Sequence, residues 1–85
     1  MMYSVYIIYS HFRDRYYVGY SHNPIRRLEE HNMGATISTR SGRPWKLVYT
    51  EEYEGKSGAI KRESEIKGKK SSKYIKNLIN SRSDG

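Results

Sequence analysis

The run Tyr3-Ser4-Val5-Tyr6-Ile7-Ile8-Tyr9, dense in aromatic and β-branched residues, stops at a polar stretch from Ser10 to Asp14 and resumes as Tyr16-Tyr17-Val18-Gly19-Tyr20. Such side chains suit a pleated, half-buried surface, and two runs of them joined by a short polar turn read as a β-hairpin. With 85 residues there is room for one modest core and none for a second domain. There is no cysteine, so packing must hold the fold, and any metal must be bound by oxygen or imidazole.

The rest of the chain supplies what covers the hairpin. Asn23-Pro24 gives an N-cap with proline at the first helical position, and Ile25 and Leu28 begin an apolar stripe that runs out between Asn32 and Gly34. From Gly34 to Pro44 the residues are small, hydroxylated and basic without a sustained period, which predicts a loop. Trp45, Leu47 and Tyr49 alternate with Lys46, Val48 and Thr50, the mark of a third strand with one apolar face, ended by the acidic cluster Glu51, Glu52 and Glu54. Ser57 is placed to cap a second helix carrying Ala59, Ile60, Glu63 and Ile66, with Gly68 to stop it. Tyr74, Ile75, Leu78 and Ile79 form one face of a third. The expected order is β-β-α-β-α-α, an α+β domain over residues 1–80 with a small three-stranded antiparallel sheet flanked by three helices, and residues 81–85 as a frayed tail.

Charge narrows the partners. Sixteen Lys plus Arg against nine Asp plus Glu give a net charge of +7, which favours a polyanion and places nucleic acid ahead of an anionic membrane. No apolar run approaches the ~20 residues a spanning helix needs, and no signal-peptide pattern opens the chain, so a soluble, cytoplasmic protein is expected. Arg40, Arg43, Lys69, Lys70, Lys73 and Lys76 are the candidates for gripping phosphates.

Three groups of residues carry chemical potential. Arg27 and His31, spaced i, i+4 beside the Ile25/Leu28 stripe, bring a phosphate-binding guanidinium next to a proton-accepting imidazole, although an ordinary solvated basic face has the same spacing. Glu63 falls between Ala59 and Ile66, inside the stripe that faces the core, where a carboxylate requires a cation. That cation is a metal, Arg27, or a local lysine such as Lys67. Tyr6 and Tyr17 lie almost symmetrically about the hairpin turn, as cross-strand neighbours with hydroxyls on one face. Gly19 beside them clears space for a ligand or marks a bulge. A single inward carboxylate suits one Mg²⁺ or Mn²⁺ that stays mostly hydrated and completes its shell with substrate phosphate oxygens. No Walker loop, dinucleotide fingerprint, H-E-x-x-H motif or cysteine nucleophile competes with this set.

Ser4-Val5-Tyr6, ten residues, Tyr17-Val18-Gly19, then Arg27, His31 and a later Ala59-Ile60-Lys61-Arg62-Glu63 resemble a GIY-YIG nuclease domain across residues 3 to 79. In detail the chain is similar to small stand-alone members related to the N-terminal incision domain of the bacterial excinuclease C subunit. The resemblance implies a metal-dependent endonuclease that hydrolyses DNA, or RNA, by in-line attack of water. In that scheme Tyr6 and Tyr17 are the motif tyrosines, with Tyr6 slightly favoured as base. Arg27 contacts the scissile phosphate, His31 relays protons, and Glu63 is the sole protein ligand of the metal. Ser4 replaces the first motif glycine, Tyr20 stands where several members have lysine, and Asn77 is a loose match to a late asparagine. The alternatives are a non-catalytic nucleic-acid-binding module and an accessory protein that recruits a larger repair complex, and a homodimer is compatible with each.

Overall fold

The computed structural model describes residues 1–83. Strand β1 (Met2–Ser10) and strand β2 (Arg15–Ser21) form the expected hairpin, and β3 (Trp45–Glu54) pairs with the other side of β1. The result is a three-stranded antiparallel sheet in the order β2-β1-β3, with the most apolar strand in the middle and two open edges. Helices α1 (Pro24–Asn32) and α2 (Ile37–Arg40) lie between β2 and β3 in the chain, and α3 (Lys56–Lys69) and α4 (Ser72–Ser83) follow β3. The observed order is therefore β-β-α-α-β-α-α.

Alternation along β1 divides the core into two layers, because successive side chains leave opposite faces of a strand. Val5 and Ile7 pack on one face with Val18, Tyr49, Ala59, Ile66 and Ile75, so this side is roofed by α3 and α4. Tyr6 and Ile8 pack on the other face with Trp45, Leu28 and Tyr17, beneath α1. Both layers are needed to bury the central strand, whose residues Val5 to Ile8 are almost wholly excluded from solvent.

Several local expectations are corrected. The segment predicted as a loop contains α2, whose Thr39 is fully buried. Alternation in β3 breaks at an irregularity in its pairing: Ile7 faces Tyr49, while Ile8 faces Leu47, leaving Val48 as the extra residue. This bulge sends Trp45 and Leu47 to the α1 side and Val48 and Tyr49 to the α3 side, where the sequence suggests a single apolar face. The acidic cluster does not end the strand; Glu51, Glu52 and Glu54 all lie within it, and Glu51 is held by Arg62, Tyr49 and Tyr53.

The helix ends differ as well. Asn23 caps α1 as expected, its side chain accepting the Arg26 amide at 3.1 Å. Helix α3 instead starts at Lys56 after Gly55 in a positive-φ conformation, so Ser57 sits inside its first turn. It also runs through Gly68 and stops at Lys70, which adopts the left-handed conformation that ends helices. Helix α4 continues to Ser83, so the tail expected to fray from Ser81 contributes three residues to it, and residues 84–85 lie outside the described residues. Among the described residues no helix is long and apolar enough to cross a membrane.

Candidate active site

Tyr6 is the centre of the site and one of its most buried side chains, at 1 % exposure. Its phenol crosses the sheet face toward β2 and lies over Gly19, its direct partner in the β1–β2 register. A Cβ at position 19 would come within 2.5 Å of the Tyr6 hydroxyl and 2.6 Å of the ring carbon that bears it. The glycine is therefore neither a bulge nor a clearing for ligand backbone: it makes room for the tyrosine of the same sheet. Tyr17 pairs with Ile8, so the two tyrosines are diagonal neighbours on one face and not the directly opposed pair that symmetry about the turn suggests.

His31 joins them from α1. Leu28 and His31 form the inward side of that helix, while Ile25, expected in its apolar stripe, is exposed. The imidazole is fully buried and bonded on both sides: Nε2 lies 2.9 Å from the Tyr6 hydroxyl, and Nδ1 lies 2.8 Å from Oγ1 of Thr39. The Thr39 hydroxyl donates in turn to the Thr36 carbonyl at 3.3 Å. If each group is used once, Thr39 accepts the Nδ1 proton, and the Nε2 lone pair is left to accept from the Tyr6 hydroxyl. Burial, reinforced by the nearby Arg27 charge, lowers the His31 pKa below its ordinary 6.5, so the ring is neutral at pH 7. Tyr17 completes the enclosure with its ring edge-on to His31, centroids 5.0 Å apart.

Arg27 is half-buried, and its Nη1 donates to Glu30 Oε1 at 2.6 Å. That hydrogen bond, opposed by partial desolvation, holds the Glu30 carboxyl below the usual carboxylate range. Burial raises the Tyr6 pKa above 10, and the Arg27 guanidinium acts in the opposite direction without overcoming it. Tyr6 is thus a phenol at neutral pH, and the lowered pKa that a standing phenolate would need is absent.

Glu63 occupies the inward position expected from the helical wheel, its side chain only 16 % exposed. Its charge partner is Lys67, one turn along α3, with Nζ 3.5 Å from Oε2; Arg27, the other structural candidate, is engaged with Glu30. Lys67 also lies over Tyr17, 5.7 Å from the ring centroid. It places a cation between two of the candidate groups, whereas Tyr20, at the position where several members of the resembled family have lysine, packs into the core layer under α3 and α4. No cluster of three or more His, Asp or Glu capable of holding a metal occurs among the described residues. These residues therefore do not fit a metal cage built wholly from protein; a single carboxylate such as Glu63 could offer one ligand to an ion that keeps most of its waters, as Mg²⁺ does.

Tyr6, Tyr17 and His31 are in contact, Arg27 lies near enough to act on the Tyr6 phenol, and Glu63 is joined to them through Lys67, which pairs with its carboxylate and lies over Tyr17. The sequence does not reveal Thr39, Glu30 or Lys67 as their partners. Helical spacing could have found two of these, since Glu30 lies three residues from Arg27 and Lys67 four from Glu63; nothing in the sequence pattern signals Thr39. The expected phosphate-gripping residues are dispersed. Arg40 and Arg43 are exposed around α2, their Nε atoms tied to the Gly34 and Arg40 carbonyls at 3.0 and 2.8 Å. Lys69 lies over the Tyr74 ring, Lys70 lines a cavity with Tyr17, and Lys73 and Lys76 are exposed on α4, as is Asn77.

Residues 2–77 match the GIY-YIG catalytic domain. The chain belongs to the GIY-YIG family. UPF0213 proteins of Staphylococcus aureus strains Mu3 and Mu50 are each 50 % identical to it over 52 residues, covering 60 % of this chain and 63 % of theirs. The solution structure of a UPF0213 protein from Bacillus halodurans superposes with a TM-score of 0.58 at 30 % identity, covering 94 % of this chain and 84 % of that one. The GIY-YIG assignment makes this a member of a nuclease family.

Proposed function

We propose that the chain is a metal-dependent endonuclease that hydrolyses DNA phosphodiester bonds, structure- or repair-directed, with residues 1–80 as its nuclease domain. The observation that carries this reading is the buried Tyr6–His31–Thr39 chain of hydrogen bonds, opening toward Tyr17, Arg27 and Glu63. A buried, neutral histidine bonded to a buried phenol is an arrangement for moving a proton, and the surrounding charges suit a phosphate.

Tyr6 takes the proton of the attacking water while its own hydroxyl proton passes to Nε2 of His31. A free phenolate need never accumulate, which matters because at a pKa of ~10 only about one phenol in a thousand is ionised at pH 7. The water oxygen forms its bond to phosphorus, the bond to the leaving oxygen breaks in line, and that oxygen is protonated from solvent. Arg27 meets the nonbridging oxygens, and Tyr17 orients the water or the phosphate. Glu63 would hold a Mg²⁺ or Mn²⁺ ion, which when bound supplies positive charge to the phosphate in the transition state. Lys67 must then yield the Glu63 carboxylate, and the flexible lysine side chain makes that exchange easy.

Purified protein should be incubated with nicked, branched and plain DNA in Mg²⁺ or Mn²⁺, beside Glu63→Ala. Cleavage abolished by the substitution while binding persists supports the proposal. Salt-sensitive binding without cleavage in either protein replaces it with a nucleic-acid-binding module, and absence of binding with an accessory role in a larger repair complex.

A further inference from the structure

Where the open edge of β2 meets the end of α3 and the start of α4 there is a cavity of about 400 Å³, and it shares Tyr17 and Lys67 with the candidate active site. Its inner wall is apolar, formed by the buried residues Val18, Ile66 and Ile75. Tyr16, on the same face of β2 as Val18, adds an aromatic ring, and Tyr17 lines the cavity at the strand edge. Arg15, Lys67 and Lys70 surround it with cations, against the single acid Asp14. A volume of this size holds a molecule on the scale of a small drug. An apolar, aromatic interior within a cationic rim complements a flat base joined to a phosphate, because every base has a π-face and every nucleotide a negative charge.

A second feature stands beside it. Phe12, the only phenylalanine of the chain, is 72 % exposed at the hairpin tip, two residues before Asp14 of the cavity. The Arg13 guanidinium lies 5.4 Å from its ring centroid. An exposed apolar ring backed by cations is the equipment with which proteins enter a base step and hold it open.

We propose that this cavity receives one unpaired nucleotide flanking the scissile phosphate, with Phe12 stacking on the step it vacates. The inference rests on the nuclease reading and names its substrate class: DNA with an extrahelical or unpaired nucleotide beside the cleaved bond. Because Tyr17 and Lys67 belong to both places, a nucleotide in the cavity brings its own backbone to the active site. A fully paired duplex would have to extrude a base first, and a bulge or gap has already met that cost.

The test is binding, measured without chemistry. The intact chain in EDTA is titrated against a fluorescent duplex carrying a single-nucleotide bulge and against the same duplex fully paired, with anisotropy as the readout. The bulged duplex should bind about tenfold more tightly, the scale of one base stacked on an aromatic surface. Ser72→Trp places bulk at an exposed position lining the cavity, and Phe12→Ala removes the exposed ring; the second cannot disturb the core. Reduction of the preference to within about twofold by either substitution supports the proposal. Equal binding of the two duplexes by the unaltered chain, or a preference that survives both substitutions, overturns it. Adding Mg²⁺ afterwards separates the two readings: cleavage with no bulge preference removes this inference alone, whereas preference with no cleavage removes the nuclease reading and leaves a nucleotide-binding cavity.

Discussion

Burial raises the pKa of Tyr6, the group that takes the water's proton in the proposed mechanism. The two are compatible only if its proton leaves as the new one arrives, which makes His31 the residue that sets the pH dependence. The imidazole accepts a proton only when neutral, and burial keeps its pKa below 6.5. Cleavage should therefore be flat from pH 8 to about 6.5 and fall only at lower pH. His31→Gln should lose most activity, at least tenfold, and the acid limb with it, as a pH–rate profile of the two proteins would reveal. Stability follows the same sign. The unfolded chain binds the His31 proton at about 6.5, the folded chain at lower pH, so the contribution is complete above 6.5 and is lost as pH falls through the depressed value. Urea melts at pH 7.5 and 5.5 should show this loss in the unaltered chain and a smaller one in His31→Gln.

Gly19 offers a test of the same centre from the other side. An added methyl would meet the Tyr6 hydroxyl at 2.5 Å, and the phenol end of a fully buried ring has nowhere to move except toward His31. Gly19→Ala should lower stability by about 1–3 kcal/mol, the usual range for overpacking. It should also remove cleavage more completely than that loss explains. A variant that melts like the parent and still cleaves would mean that Tyr6 is not held where the geometry places it.

At the scale of elements, the hairpin, the capped first helix, the third strand and the last two helices are all legible in the sequence, because each carries its own period or cap. What escapes has a common physical cause. Val48 becomes the extra residue of a bulge only because Trp45 and Leu47 must reach the α1 layer while Tyr49 reaches the other, a requirement set by two separate cores and invisible within one strand. Likewise α2 has four residues and no apolar period; its contacts are tertiary, with the Thr39 hydroxyl bonded to His31 and the Thr39 carbonyl accepting from the Trp45 indole. Tyr6, Tyr17, Arg27, His31 and Glu63 can be named from residue type and order, whereas Thr39 depends on a tertiary hydrogen bond. This predicts a particular sensitivity. Thr39→Val keeps the shape but leaves the buried Nδ1 without its partner, at a cost of about 1–3 kcal/mol. It also frees His31 to adopt the other tautomer. Thr39→Ser should restore both stability and cleavage, and ¹⁵N chemical shifts of the His31 ring would follow the tautomer directly.

For the molecule as a whole, the +7 charge matters through where the cations are free to act. Glu51 is below its ordinary carboxylate range even though burial opposes this, because Arg62, Tyr49 and Tyr53 all donate to it. Tyr53 is correspondingly pushed up to about 12 by burial and by the Glu51 carboxylate. Arg62 is thereby committed to the fold, with its side chain 20 % exposed, while Lys70, Lys73, Arg40 and Arg43 are exposed on segments on either side of the candidate site. Substituting these two classes of cation should have opposite consequences. Lys70→Gln with Lys73→Gln should leave the melting temperature nearly unchanged and reduce the slope of log K for DNA against log salt by about two, one for each phosphate no longer neutralised. Arg62→Gln leaves the largely buried Glu51 carboxylate without its cation and takes a donor from the Tyr74 hydroxyl, so it should lower stability by about 1–3 kcal/mol, discounted for partial exposure, and leave the salt slope where it was. Both quantities come from the same preparations, by anisotropy titration at several salt concentrations and by thermal melting. Equal effects of the two changes on the slope would mean that DNA approaches from the β3 side and not across β2 and the α3–α4 junction, and would displace the candidate site from the path of its substrate.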